Sequence, residues 1–304
     1  MAFRQITIVG VGLIGGSFGL AARKAGFQGT LVGCDRREVL VRAQQRQAIE
    51  SGYEDAAKAV RGSDLIVLAT PVGAILDLLE QAPIFPPDAL ITDVGSTKAM
   101  IAERARAVLG NAAPQRFLPG HPMAGKELGG IEQADPDLFR GAVWLFTPLE
   151  HSSAKLNRQG PQPVESHPEK RDPTGLVPDS IRGFFELVES MGARVAEIDA
   201  QRHDRLCAWV SHLPQMIATA LAASLQDEFN DESELYAVGG RALREMTRIA
   251  SSPYSMWRDI ALTNTVNIQE ALSRVEQRLA HIRENLGTRE LAREFETAQL
   301  FRRK

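Results

Sequence analysis

For its first two hundred residues the chain alternates short β-branched runs with amphipathic stretches. Runs at 5–10, 30–34, 65–70, 90–93, 116–119, 142–147 and 193–198 are rich in Val, Ile, Leu and Phe, and read as strands. Between most of them apolar residues recur at helical spacing, as over 15–25 and 38–51. Such alternation predicts a mostly parallel sheet with helices on both faces. From residue 199 the β pattern stops, and 199–226, 231–249, 253–286 and 289–301 read as helices. Pro214 lies inside the first, where it removes a backbone donor and predicts a kink that frees the carbonyl of Val210. In the third, Ile268, Leu272, Val275, Leu279, Ile282 and Leu286 form a heptad seam. That seam suits packing on its own domain or on a second copy. The expectation is an α/β domain over 1–199 followed by an all-α domain over 200–304.

Residues 149–178 interrupt the pattern with five prolines. They read as a loop insertion, in which His151 and His167 have no partners at metal-ligand spacing. A length of 304 residues leaves room for two domains, and 44% apolar with 24% charged residues is a globular composition. The formal net charge of −3 and the lack of a long basic run argue against a nucleic-acid partner. Two cysteines, Cys34 and Cys207, cannot supply a disulfide framework or a four-cysteine zinc site, so no metal is expected. No uninterrupted apolar run reaches the ~18 residues of a membrane span. The apolar opening over 6–20 contains five glycines and lacks a signal-peptide layout. A cytoplasmic protein without a membrane partner is expected.

The first strand runs into Gly10-Val11-Gly12-Leu13-Ile14-Gly15, and a helix follows. In this strand–turn–helix context the motif reads as a Rossmann-like dinucleotide cradle. Gly10 permits the turn, Gly12 lets backbone approach the pyrophosphate, and Gly15 lets helix and strand pack closely. The first helical turn at Leu13 and Ile14 then presents free N–H groups to the phosphates. Asp35 ends the second strand, twenty residues after Gly15, and is placed to accept hydrogen bonds from ribose hydroxyls and to repel a 2′-phosphate. This favours NAD. Arg36 and Arg37 follow at once and leave NADP open.

Ligands of an open parallel sheet bind beyond the carboxyl ends of its strands. Three polar clusters fall there: Ala69-Thr70-Pro71-Val72, Asp93-Val94-Gly95-Ser96-Thr97-Lys98 and Gly120-His121-Pro122-Met123-Ala124-Gly125. Thr70 and Pro71 are expected beside the cofactor. His121 stands directly beyond a predicted strand, as either a hydrogen-bonded structural residue or a general base.

These clusters carry a resemblance. The order GVGLIGGS, TPV, DVGSTK, HPMAG, SHLPQ, TRIASSP and MWRDI, spread from Ile6 to Asn264, resembles the prephenate/arogenate dehydrogenase family of tyrosine biosynthesis. The resemblance implies oxidative decarboxylation of a cyclohexadiene with hydride transfer to NAD. His121 would draw off the ring hydroxyl proton, and Ser96 would orient His121 and bridge to the cofactor. Arg248 would bind a substrate carboxylate through its guanidinium fork. His212 would face the substrate, with the neutral Gln215 one turn further on favouring a keto acid (prephenate) over an amino acid (arogenate). Trp257 would approach the site from the partner of a homodimer formed through the helical domain.

The chain departs from the family pattern at Gly239-Gly240-Arg241-Ala242, where Arg241-Ala242 displaces a glycine pair. Arg241 thus either brings a second cation to the cleft or solvates a helix. Neither a fused chorismate mutase nor an ACT domain is expected, so any feedback by tyrosine would act at the active site. Two other readings share the cradle. One is a β-hydroxy-acid dehydrogenase, whose catalytic lysine is missing from 199–226. The other is an NAD(H)-sensing protein without chemistry, which needs neither His121 nor Arg248.

Overall fold

The computed structural model describes residues 3–149, 162–163, 178–230 and 233–303; His151, His167 and most of the 149–178 insertion lie outside them. Six parallel strands form the first sheet in the order β3-β2-β1-β4-β5-β6: β1 (Gln5–Val9), β2 (Thr30–Cys34), β3 (Ser51–Tyr53), β4 (Leu65–Leu68), β5 (Leu90–Asp93) and β6 (Phe117–Leu118). This is the doubly wound dinucleotide-binding topology, with its order reversing between β1 and β4. Ile6, Ile8, Leu65, Ile66, Val67 and Leu68 are sealed from solvent, which explains why these strands read as apolar runs rather than alternating ones.

Three details differ from the sequence pattern. The helix foreseen over 38–51 stops at Gln45; Gln47 takes a positive φ of 62°, and Ser51–Tyr53 then adds a strand at the sheet edge. Second, the later strands form a sheet of their own. In it β7 (Gly120–Pro122) pairs antiparallel with β8 (Val143–Phe146), and β8 pairs parallel with β10 (Arg194–Glu197). Gln162–Pro163 (β9) pairs antiparallel with the far side of β10. The residues between Leu118 and Gly120 are too few for a helical crossover, so the chain leaves the parallel sheet and starts a second one. An aromatic cluster of Phe18, Phe139, Trp144, Phe146 and Phe184 packs the two sheets together.

Third, several long helices foreseen after residue 199 are interrupted. Ala200–Cys207 passes through one wide π turn, Ala208–His212, into Leu213–Phe229, with Pro214 in the first turn of that second segment. The wide turn accommodates the donor that proline lacks. Ser233–Val238, Arg241–Thr247 and a 3₁₀ turn at Arg248–Ser251 replace the second predicted helix, and Asn264 divides the third into Tyr254–Thr263 and Thr265–Glu284. Glu290–Arg302 ends the described chain.

By length and hydropathy alone the run Ala200–Phe229 would be long and apolar enough to cross a membrane. Its buried His203, Asp204, His212 and Gln215 are hydrogen-bonded inside the protein. Along the heptad seam Ile268 is buried, while Leu279 and Leu286 are exposed.

Candidate active site

Gly10 has φ +93°, and a Cβ there would stand 2.6 Å from the Ala69 backbone. A Cβ on Gly15 would stand 2.0 Å from the Gly10 carbonyl oxygen, so both positions exclude any side chain. Gly12 is different: nothing lies within 4 Å of its would-be Cβ, and the helix Leu13–Lys24 begins there without a side-chain cap. Its first N–H groups therefore lack the capping partner that most helices supply. Leu13 and Ile14, in that first turn, are half-buried. The Asp35 carboxylate accepts from the Val11 amide at 2.8 Å and from the Arg36 amide at 2.7 Å, which fixes it at the rim of the cradle. Among the described residues the buried Thr70 hydroxyl has no partner, and Pro71 starts the next helix exposed. A cradle cleared of side chains, an uncapped helix and an orphaned hydroxyl are what a dinucleotide requires.

His121 sits on β7 rather than in a loop. The buried Asp93–Lys98 ion pair holds that strand in place. Lys98 Nζ bonds Asp93 and donates to the Gly120 carbonyl at 2.8 Å, while Asp93 Oδ1 accepts from the Gly120 amide at 3.3 Å. Breaking such a pair from one side typically costs ~3–5 kcal/mol, because the remaining charge is left unpaired.

Around His121 the structure places a residue that the sequence did not single out. Among the described residues Ser96 makes no hydrogen bond to His121. His203 occupies that place: His121 Nδ1 and His203 Nε2 are 2.9 Å apart, and His203 Nδ1 is 2.8 Å from Asp204 Oδ1. Asp204 is anchored in turn by the Lys98 amide at 2.6 Å and the Ala99 amide at 2.9 Å. Ser96 is half-buried in the loop after β5. The Cys207 sulfur lies 3.5 Å from His203 Nε2, and burial pushes its thiol up to about 12, so it is neutral. Burial, reinforced by His203, Lys98 and His212, holds His121 well below the usual histidine range. The imidazole is neutral and able to accept a proton.

A second histidine is oriented by a residue that sequence reading missed. Asn264 Nδ2 donates to the Asp204 carbonyl at 2.8 Å and lies 3.1 Å from His212 Nδ1. His212 Nδ1 is thus an acceptor, and Nε2 carries the proton. Among the described residues that buried Nε2–H has no partner, nor has the indole N–H of Trp257, whose ring meets His212 edge-on at 5.9 Å. Burial lowers His212 to about 4, which keeps it neutral. Trp257 makes this contact within its own chain. The helix Tyr254–Thr263 docks on the nucleotide domain through Asp259, which accepts from the Gly73 amide at 2.9 Å and so sets the indole beside His212. Gln215 commits its amide nitrogen to the Ile249 carbonyl at 3.0 Å and to Thr219 Oγ1 at 3.2 Å. It therefore anchors the segment that carries Arg248. Arg248 is ion-paired with Glu127, six residues beyond His121, and its side chain is 61% exposed. Arg241 pairs with Glu245 on its own helix at 3.0 Å and is 89% exposed, so it solvates a helix.

Comparison with known proteins gives the family. Residues 18–158 match the prephenate dehydrogenase nucleotide-binding domain, and residues 199–299 the prephenate dehydrogenase dimerization domain. Prephenate dehydrogenase from Lactococcus lactis is 31% identical over 283 residues, covering 92% of this chain and 70% of that one. The chain belongs to the prephenate dehydrogenase family. Prephenate dehydrogenase from A. aeolicus, solved with hydroxyphenyl propionate and NAD+, superposes with a TM-score of 0.81 at 28% identity, covering 99% of this chain and 98% of that one. Arogenate dehydrogenase from Synechocystis gives 0.72 at 26% identity, with 98% of each chain covered.

Within this prephenate dehydrogenase fold, His203, Asp204, Asn264 and Glu127 are the polar residues around the site that sequence reading did not single out. The pair His203-Asp204 had a legible signal, since an aspartate beside a histidine on an amphipathic helix suggests a buried pair. Asn264 and Glu127 had none, because their partners lie far away in sequence.

Proposed function

We propose that this protein converts prephenate to 4-hydroxyphenylpyruvate, with NAD as hydride acceptor, in tyrosine biosynthesis. The observation that carries the reading is a neutral imidazole, His121, held beyond the parallel sheet with no bond at Nε2 among the described residues. Gly10, Gly12, Leu13, Ile14 and Gly15 would hold the pyrophosphate, Asp35 the ribose, and Thr70 with Pro71 the far wall. Bound there, NAD supplies the acceptor for the hydride leaving the hydroxyl-bearing ring carbon.

His121 Nε2 takes the ring hydroxyl proton and returns it to the phenolate oxygen formed when the ring carboxylate departs as carbon dioxide. Ser96, free of His121, is assigned to the cofactor side of the cleft. Arg248 exchanges Glu127 for a substrate carboxylate, a bidentate contact that lysine would not reproduce. The orphaned N–H groups of His212 and Trp257 supply donors for substrate oxygens, while Gln215 supports this wall.

An assay of NADH formation tests the substrate and the cofactor together. Prephenate with NAD is expected to give the highest kcat/KM, because Gln215 offers no carboxylate to an ammonium and Asp35 disfavours a 2′-phosphate. A preference for arogenate of about a hundredfold, about 3 kcal/mol, would reverse the substrate assignment. NADH binding with no turnover of either substrate would point to the sensor instead.

The helical part, proposed as a separate domain over 200–304, is assigned to homodimer formation in the cytoplasm. Among the described residues the large exposed apolar side chains fall mostly there, including Val210, Leu262, Val266 and Leu279. Such a surface favours an interface over solvent. Light scattering is expected to give twice the 33.3 kDa chain mass; a 33.3 kDa particle at assay concentration would refute the dimer.

A further inference from the structure

We infer that His203 is a positioning residue that, through Asp204, decides which ring nitrogen of His121 carries the proton. The chain His121 Nδ1–His203 Nε2–His203 Nδ1–Asp204 Oδ1 has spacings of 2.9 and 2.8 Å, and both imidazoles are buried. Its direction follows from the far end. The Asp204 carboxylate accepts from two backbone amides, Lys98 at 2.6 Å and Ala99 at 2.9 Å, and a carboxylate has no proton to offer His203. His203 Nδ1 must therefore be the donor, and in a neutral ring Nε2 is then the acceptor. His121 Nδ1 consequently carries the proton, and Nε2 keeps its lone pair for the substrate hydroxyl.

The opposite arrangement would set two lone pairs against each other at His203 and Asp204, and would leave His121 with a proton where a base is needed. Cys207 does not reverse this order: its neutral thiol is a weak donor toward His203 Nε2 at 3.5 Å and a weak acceptor toward His121 Nδ1 at 4.0 Å. When His121 becomes protonated, the same chain places the new charge next to a carboxylate one ring away. The logic parallels an aspartate behind a catalytic histidine, with a second imidazole interposed.

The inference rests on His121 acting as the base, and the experiment separates the two claims. In ¹⁵N-labelled wild-type protein, long-range imidazole spectra should show His121 protonated at Nδ1, its signal assigned by loss in His121→Asn. His203→Leu keeps the bulk but removes the acceptor. Its kcat should fall at least ~10-fold and up to the ~10⁴-fold that a misdirected catalytic imidazole costs, with NADH affinity changed less than about twofold. His203→Gln restores an acceptor oxygen and should recover about tenfold of that loss. A His121 proton found on Nε2, or a His203→Leu kcat within about threefold of wild type, would overturn the inference. If both variants fail to fold, the wild-type spectrum decides alone. If wild-type protein oxidises no prephenate, the substrate assignment falls and the spectrum still tests the proton's position.

Discussion

His121→Asn is expected to lower kcat by ~10²–10⁴, about 3–5 kcal/mol of barrier, with KM for prephenate little changed. The amide can place an N–H near the former Nδ1 and keep a bond to His203, so the local fold survives while the basic nitrogen is gone. Single-turnover measurement of NADH formation reads the chemical step directly. A near-wild-type rate there would remove His121 from the role of base. The same residue sets the pH profile. The groups facing it from other elements are His203, Lys98 and His212, which oppose its protonation together with burial, while Cys207 is neutral. The free imidazole must be neutral to accept, and its value lies well below 6.5. The profile of kcat/KM should therefore stay flat as pH falls through 6.5 and drop only in more acid solution. A midpoint at or above that value would show that burial does not govern this group.

Much of the nucleotide domain was legible because its signals are local. The strand at Thr30–Cys34 and the tight strand-to-helix turn at Gly10 and Gly15 were legible from neighbouring residues, since turn chemistry and buried parallel strands leave contiguous marks. The second sheet was hidden because β7 is only three residues long and begins two residues after β6. Its antiparallel partner lies more than twenty residues away, across Gly125, Gly129 and Gly130. The environment of His121 was hidden for a related reason: His203 is 82 residues distant, and no local period connects a strand residue to a helix that far along. Pro214 announced a break, but not that the chain would absorb it as a wide turn ending at His212. In each case the missed feature is a long-range pairing that turns on side-chain geometry rather than on hydrophobic pattern.

Arg248→Ala should act mainly on KM, raising it by about 30-fold, about 2 kcal/mol, with a much smaller effect on kcat. Prephenate brings two carboxylates into the site, and Arg248 already holds a carboxylate, that of Glu127. Substrate therefore has to compete with an internal anion, and the side chain's 61% exposure keeps that internal pair weak enough to exchange. The competition has a signature. Glu127→Gln removes the rival charge, so prephenate KM should fall or hold in that variant, whereas Arg248→Ala raises it. In the double variant the Glu127 change should give no further benefit, because there is no guanidinium left to release. Raising ionic strength should increase KM in wild type more than in Arg248→Ala, since only the former relies on that charge pairing. An Arg248→Ala enzyme with unchanged KM and diminished kcat would move Arg248 from substrate binding to the chemical step. Equal KM values in Glu127→Gln and the double variant would show that the ion pair serves only to tether two segments of the chain.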